Sequence, residues 1–281
     1  MPLVTLRDLL HDAVQRDYTA VQFNADCLEV AQAVFRTAEE ERAPVILGVG
    51  QGAARDGKIE ALAAVVRDYA FRSKLPIVLH LDHSEEPRQI VQAVRAGFSS
   101  VMVDGSALPL ADNIALTRQA IALCAPVGIS VEAELGRIAG MEDDVTVAED
   151  QANKVDVRTV EEFIAGIEVD ALAVAIGSAH GVYKAEPKLD FDLLAELTKI
   201  TSTPLVLHGG SGIPEASLRR SFALGMKKLN VGTEIRLGFM AGVTEGIAGG
   251  ESIFSAFDRG RAEVAKFVRQ KLAVSASAGK A

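Results

Sequence analysis

The chain has 281 residues and a mass of 29.7 kDa, with 29 Lys and Arg against 38 Asp and Glu, a net charge of −9. Hydrophobic residues make up 49% and charged residues 24%, which excludes a disordered chain. The acidic balance, with no run of Lys or Arg, argues against nucleic acid or an anionic membrane as the main partner.

Short runs rich in β-branched and apolar residues recur along the chain. Strands are predicted near residues 20–24, 44–49, 76–81, 99–103, 129–134, 171–176, 204–208 and 227–231. Between them lie stripes with helical spacing, such as Leu28, Ala31, Val34 and Phe35, then Ile59, Leu62, Ala63 and Val66, then Ile90, Val91 and Val94. Further helices are predicted over 190–200, 214–224 and 235–247, with one near 5–17 before the first strand and one near 253–271 after the rest. Strands alternating with helices in this way predict one α/β domain over residues 1–281, a (β/α)8 barrel, with residues 274–281 as a loose tail. The longest spacing, 42 residues between the starts of the fifth and sixth strands, contains the polar stretch 136–157. A mobile lid and an ordinary surface loop both suit it. No apolar run approaches membrane-spanning length, and the first residues lack a basic-then-apolar leader pattern. Cys27 and Cys124 stand far apart in predicted helices, so a reduced, cytoplasmic protein is expected.

In a barrel, chemistry is carried at the C-terminal ends of the strands. Those ends hold Asn24, Gly50, Asp82 with His83, Asp104, Glu134, the His180 loop, His208 and Asn230. His83, His180 and His208 follow three different strands, the arrangement by which a barrel converges three imidazoles on one ion. Three histidines with an open position suit a catalytic zinc ion acting as Lewis acid; hydrogen-bonding loop histidines without metal are the alternative. Asp82, beside His83, suits either a general acid/base or a carboxylate that orients an imidazole. His80, one step inside the strand, reads as a packed core histidine. Gly209, Gly210 and Ser211 after the seventh strand, and Asn230, Val231, Gly232 and Thr233 after the eighth, form paired glycine-bearing turns into helix starts, the usual phosphate place in this fold. Lys184 is placed to add positive charge. Gly48-Val49-Gly50-Gln51-Gly52 lacks the glycine spacing of a dinucleotide fingerprint.

Together, Leu79-His80-Leu81-Asp82-His83, Val103-Asp104-Gly105-Ser106, Val131-Glu132-Ala133-Glu134-Leu135-Gly136, Ala175-Ile176-Gly177-Ser178-Ala179-His180-Gly181, Leu207-His208-Gly209-Gly210-Ser211-Gly212 and Asn230-Val231-Gly232-Thr233 resemble the class II, zinc-dependent ketose-bisphosphate aldolases over nearly the whole chain. The nearest subgroup is the short fructose- or tagatose-bisphosphate aldolases. The resemblance implies that His83, His180 and His208 hold catalytic zinc, and that Asp82 is the acid/base at the C4 hydroxyl. It gives Asp104 and Glu134 a second or alternative metal position, and makes Glu142 a mobile group moving the C3 proton of dihydroxyacetone phosphate. By the same resemblance Gly181, Lys184, Gly209, Ser211, Asn230 and Thr233 surround that ketone and its phosphate, with a monovalent cation nearby. Dimers or tetramers are implied. This chain departs from many such relatives at Gly50 (Ser there), Cys27 (Asn there) and Ala139 (Gly there), the first two flanking the entrance for the aldehyde half, where Asn24 is retained.

The expected reaction is reversible cleavage of a ketose 1,6-bisphosphate to dihydroxyacetone phosphate and glyceraldehyde 3-phosphate. The alternative keeps the mechanism but releases a carboxylate- or sulfonate-bearing aldehyde. A non-catalytic partner barrel would show eroded zinc ligands, which this chain does not. A metal-dependent hydrolase barrel would carry His-x-His where Phe23-Asn24-Ala25 stands.

Overall fold

A computed structural model describes residues 3–142, 145–183 and 185–281, with side chains for all of these except residues 54, 55, 141, 142, 145, 146 and 149. The strands in chain order are β1 (Ala20–Asn24), β2 (Val45–Gly50), β3 (Ile77–Ser84), β4 (Ser100–Val103), β5 (Ser130–Leu135), β6 (Ala139–Glu142), β7 (Val145–Val147), β8 (Ala171–Val174), β9 (Ala179–His180), β10 (Leu205–Leu207) and β11 (Met226–Val231). The helices are α1 (Leu6–Gln15), α2 (Leu28–Glu41), α3 (Gln51–Arg55), α4 (Ile59–Arg72), α5 (Pro87–Ala96), α6 (Leu110–Cys124), α7 (Val157–Gly166), α8 (Phe191–Ile200), α9 (Glu215–Ala223), α10 (Thr233–Ala248) and α11 (Ile253–Val274).

Parallel strands close a barrel in the order β1-β11-β10-β8-β5-β4-β3-β2, and each of the eight predicted strands has its counterpart in it. Outward residues such as Leu47, Leu79, Leu81, Leu229 and Val231 pack under the helices in one continuous core. The inward residues divide into two zones. At the bottom, Ala20, Ile46, Val78, Ala171, Ala173 and Val206 form an apolar layer. Helix α1, capped where the Thr5 hydroxyl accepts from the Asp8 N–H at 3.1 Å, plugs that end with Leu6, Leu9, Leu10 and Ala13. Burying side chains of this size contributes about 1.5–3 kcal/mol each. Toward the top the interior is polar, and Gln22, Asn24, His80, Asp82, Glu132, Glu134, His208, Lys228 and Asn230 are all buried.

Two expectations change here. The stretch after β5 is not irregular throughout: β6 pairs with β7 antiparallel and with β9 parallel, making a small second sheet. Strands of two to four residues are too short to show a period. The C-terminal segment, expected to be loose, is docked. Ser275 O accepts from Thr19 N at 3.0 Å, Gly279 N donates to Glu41 O at 2.8 Å, and Ala281 N to Arg42 O at 2.9 Å, with Ser275 and Ser277 buried. The segment looks featureless in the sequence because backbone groups make most of the docking bonds, with Lys280 Nζ adding one to Arg16 O at 2.8 Å. Among the described residues, no helix is long and apolar enough to cross a membrane.

Candidate active site

The site forms where the polar interior opens at the C-terminal ends of the strands. Strand β3 brings both Asp82 and His83 there through an irregularity: Leu81 is in register with Val101 but Ser84 with Val103, so β3 holds one residue more than β4 over that interval. Strict alternation would turn His83 outward after Asp82. The extra residue, with His83 at φ 50° in the left-handed region, lets consecutive side chains face the mouth.

His83, His180 and His208 converge. Their ring centroids lie 5.2 Å (83–180), 4.7 Å (83–208) and 5.9 Å (180–208) apart, and each offers a nitrogen within 4.8 Å of the other two. The outer nitrogens of two rings are committed to carboxylates: His83 Nδ1 lies 2.8 Å from Asp104 Oδ2, and His208 Nε2 lies 3.0 Å from Glu132 Oε1. An ionised carboxylate only accepts, so both outer nitrogens carry the proton. His83 Nε2 and His208 Nδ1 then present lone pairs to each other at 3.0 Å. Two facing lone pairs repel unless a proton or a metal ion is shared between them, and with His180 close by the donor set fits a divalent ion held by imidazoles.

The charges around the cluster keep its carboxylates ionised, and so as hydrogen-bond acceptors. Burial alone would raise Glu132, but the Lys228 ammonium and the His208 hydrogen bond overcome it and hold the carboxyl well below the usual range. Asp104, where burial is likewise outweighed by His83, is also depressed. Burial lowers His208, with the Glu132 hydrogen bond opposing. His80, fully buried with Nδ1 2.8 Å from the Ser100 hydroxyl, is pushed down by burial to about 3 and is neutral.

Asp104 and Glu134 sit beside this cluster. His83, Asp104 and Glu134 also offer donor atoms within 4.8 Å of one another, with Glu134 Oε2 3.9 Å from His83 Nδ1. Asp104 is engaged with His83 and accepts from the Ser106 N–H at 2.9 Å. Asn24 and Asn230, expected as substrate contacts, both hydrogen-bond Asp82: Asn24 Nδ2 donates to Oδ2 at 2.9 Å and Asn230 Nδ2 to Oδ1 at 3.2 Å.

A cavity of about 360 Å³ is lined by Asp82, His83, Asp104, Glu134 and His180, together with Gly50, Gln51 and Arg137. A smaller adjoining cavity is lined by His180, Gly181, Gly209, Ser211, Asn230, Gly232 and Thr233. Gly210 and Val231 are absent from that lining: the Gly210 amide is used on Asn230 O at 2.9 Å, and Val231 is a buried strand residue. The side chain of Glu142 and all of Lys184 lie outside the described residues.

The sequence model of the family described as "Fructose-bisphosphate aldolase class-II" matches residues 4–280. This chain belongs to the class II fructose-bisphosphate aldolase family. A Bacillus subtilis (strain 168) protein named "Probable fructose-bisphosphate aldolase" is 42% identical over 251 residues, covering 88% of this chain and 87% of the relative. The crystal structure of the YdjI aldolase from Escherichia coli K12 superposes with a TM-score of 0.88 at 32% identity, covering 99% of both chains. The fructose-bisphosphate aldolase of Campylobacter jejuni shares the fold, with a TM-score of 0.81 at 18% identity over 100% of this chain and 97% of that one. The protein is therefore a class II aldolase, a carbon–carbon lyase of a metal-dependent family that acts on small phosphorylated sugars.

Three residues of this aldolase's site went unnoticed in the sequence. Glu132 and Lys228 each stand two positions before a predicted site residue, on the same strand face, and that spacing was the available signal. Tyr183 accepts from the Ala179 N–H at 2.8 Å and donates to Gly209 O at 2.9 Å, tying the His180 loop to the glycine loop. No local pattern marks it.

Proposed function

We propose that this class II aldolase reversibly cleaves the C3–C4 bond of a ketose 1-phosphate to dihydroxyacetone phosphate and an aldehyde, with fructose or tagatose 1,6-bisphosphate as the leading substrate. The observation that carries this reading is His180, which lies in the walls of both cavities. A ketone at the histidine cluster then has its phosphate ester beside Gly209, Ser211, Gly232 and Thr233, where α10 begins and its N-terminus favours an anion.

His83, His180 and His208 would hold zinc, which when bound polarises the ketone and offsets the negative charge that develops as the bond breaks. Asp82 would take the C4 hydroxyl proton in cleavage and return it in condensation. Because Asn24 and Asn230 each hold one of its oxygens, the carboxylate is oriented before substrate arrives. Glu142 as the group that moves the C3 proton, Asp104 and Glu134 as a second metal position, Lys184 at the phosphate and a monovalent cation nearby rest on the family resemblance. In metal-replete enzyme, Asp82→Ala should retain zinc and lose turnover by about 10²–10⁴-fold. Full activity would refute the assignment.

A second reading, in which the aldehyde carries a carboxylate or sulfonate, is favoured by Gly50, which offers no hydroxyl at the mouth, and by Arg137, a cationic side chain in the larger cavity's wall. Turnover across ketose 1-phosphates with different distal groups separates the two. Self-association into a dimer or tetramer is supported by exposed Leu237, Met240 and Ile247 on one face of α10 and Phe254 at the start of α11; sedimentation of Met240→Glu tests it. The free thiols Cys27 and Cys124 support a cytoplasmic setting.

A further inference from the structure

Lys228 is fully buried inside the barrel, and its ammonium touches two parts of the site, which also meet where Asn230 Nδ2 lies 3.3 Å from His208 Nε2. On one side Nζ lies 2.9 Å from Glu132 Oε2 and donates to Oε1 at 3.2 Å, the oxygen that also accepts from His208 Nε2. On the other side Nζ donates to Asn230 Oδ1 at 2.8 Å. That bond decides which way round the Asn230 amide sits. With its oxygen taken by the ammonium, its Nδ2 faces Asp82. A flipped amide would set N–H groups against an ammonium and an oxygen against a carboxylate, both repulsive.

We propose that Lys228 is a positioning residue that couples the acid/base carboxylate to the metal ligand set, orienting Asp82 through Asn230 and His208 through Glu132. The proposal rests on the aldolase reading of the site for its catalytic half only. A hydrophobic residue of similar length would fill the same space without desolvating a charge, and buried ion pairs are weak contributors to stability. The retention of an ammonium here is accounted for by the two orientations it imposes. Its neighbour Lys227 reaches Asp17 at 3.0 Å at the protein surface and takes no part.

The experiment uses full-length holoenzyme in four forms: wild type, Lys228→Met, the double variant Glu132→Gln with Lys228→Met, and Lys227→Met as control. Zinc affinity is read by competition with a chromophoric chelator, ligand geometry by the visible spectrum of the cobalt-substituted protein, and turnover as kcat and KM separately. Lys228→Met is expected to weaken zinc binding and to lower kcat, each by about 10–100-fold, with KM changed less than kcat and the cobalt bands shifted. The double variant leaves no buried charge of this pair unmatched, so its melting temperature should recover toward wild type while kcat and zinc affinity stay low. Recovery of all three in the double variant, or wild-type kcat and zinc affinity in Lys228→Met, overturns the proposal. Should Lys228→Met fail to fold, the double variant decides alone by the same two readouts. Should wild type show no aldol turnover, the zinc affinity and cobalt spectrum still test Lys228, and it is the functional reading that fails.

Discussion

Gly140 on β6 is the residue in register with His180 on β9. The stretch that separates β5 from β8 is thus hydrogen-bonded directly beside a residue of the histidine cluster, and Glu142 follows two positions later on the same strand.

Gly140 has φ 106°, and an added Cβ would collide with the His180 backbone carbonyl. Gly140→Ala should therefore part β6 from β9. We expect faster amide exchange over residues 139–142 and 145–147 and reduced turnover, with the melting temperature little changed. Wild-type exchange and kcat together would mean that the small sheet has no part in the site.

Metal removal should act on activity and stability at once. An ion bound only by the folded state stabilises it by about 2.7 kcal/mol at a free concentration 100 times its dissociation constant. Treatment with a chelator should abolish turnover and lower the melting temperature, and zinc should restore both. Carbon–carbon cleavage that survives complete metal removal would remove the basis of the functional reading.

The metal-free protein should weaken in acid, with a predictable onset. His80 is depressed from 6.5 to about 3 by burial, so between those values the unfolded chain binds the proton and the native one does not. Stability should fall as pH drops below 6.5, and His208, also depressed, adds to the same trend. Glu132, depressed from 4.5 by Lys228 against the cost of burial, adds a further loss once pH passes below 4.5. In His80→Asn the decline between 6.5 and 4.5 should be shallower when urea midpoints are measured across that range. An unchanged slope would contradict the buried neutral imidazole.

Deleting residues 275–281 removes the backbone bonds to Thr19, Glu41 and Arg42 on the face of the barrel opposite the site. The net loss of a few hydrogen bonds at about 1 kcal/mol each predicts a melting temperature lower by roughly 5–10 °C. Holoenzyme kcat should be retained. A melting temperature equal to wild type would show that the segment's docking contributes nothing.

The sequence by itself determined the barrel and the strand ends at which chemistry is placed. Apolar runs such as Val45–Val49 and Ile77–Leu81, alternating with helical stripes, report a period, and a period is local. His83, His180 and His208 were legible because each ends or follows such a run. Tertiary structure alone decided three things. It put Asp82 and His83 on one side through an extra residue in β3, visible only against β4. It paired Lys228 with Glu132, 96 residues away, and set the side-chain amides of Asn24 and Asn230 against Asp82. It laid β6 beside β9 and the last residues against Thr19 and α2. The common reason is that a buried polar group must find a partner wherever the fold places one, and such partners are set by distance in space, which no spacing along the chain records.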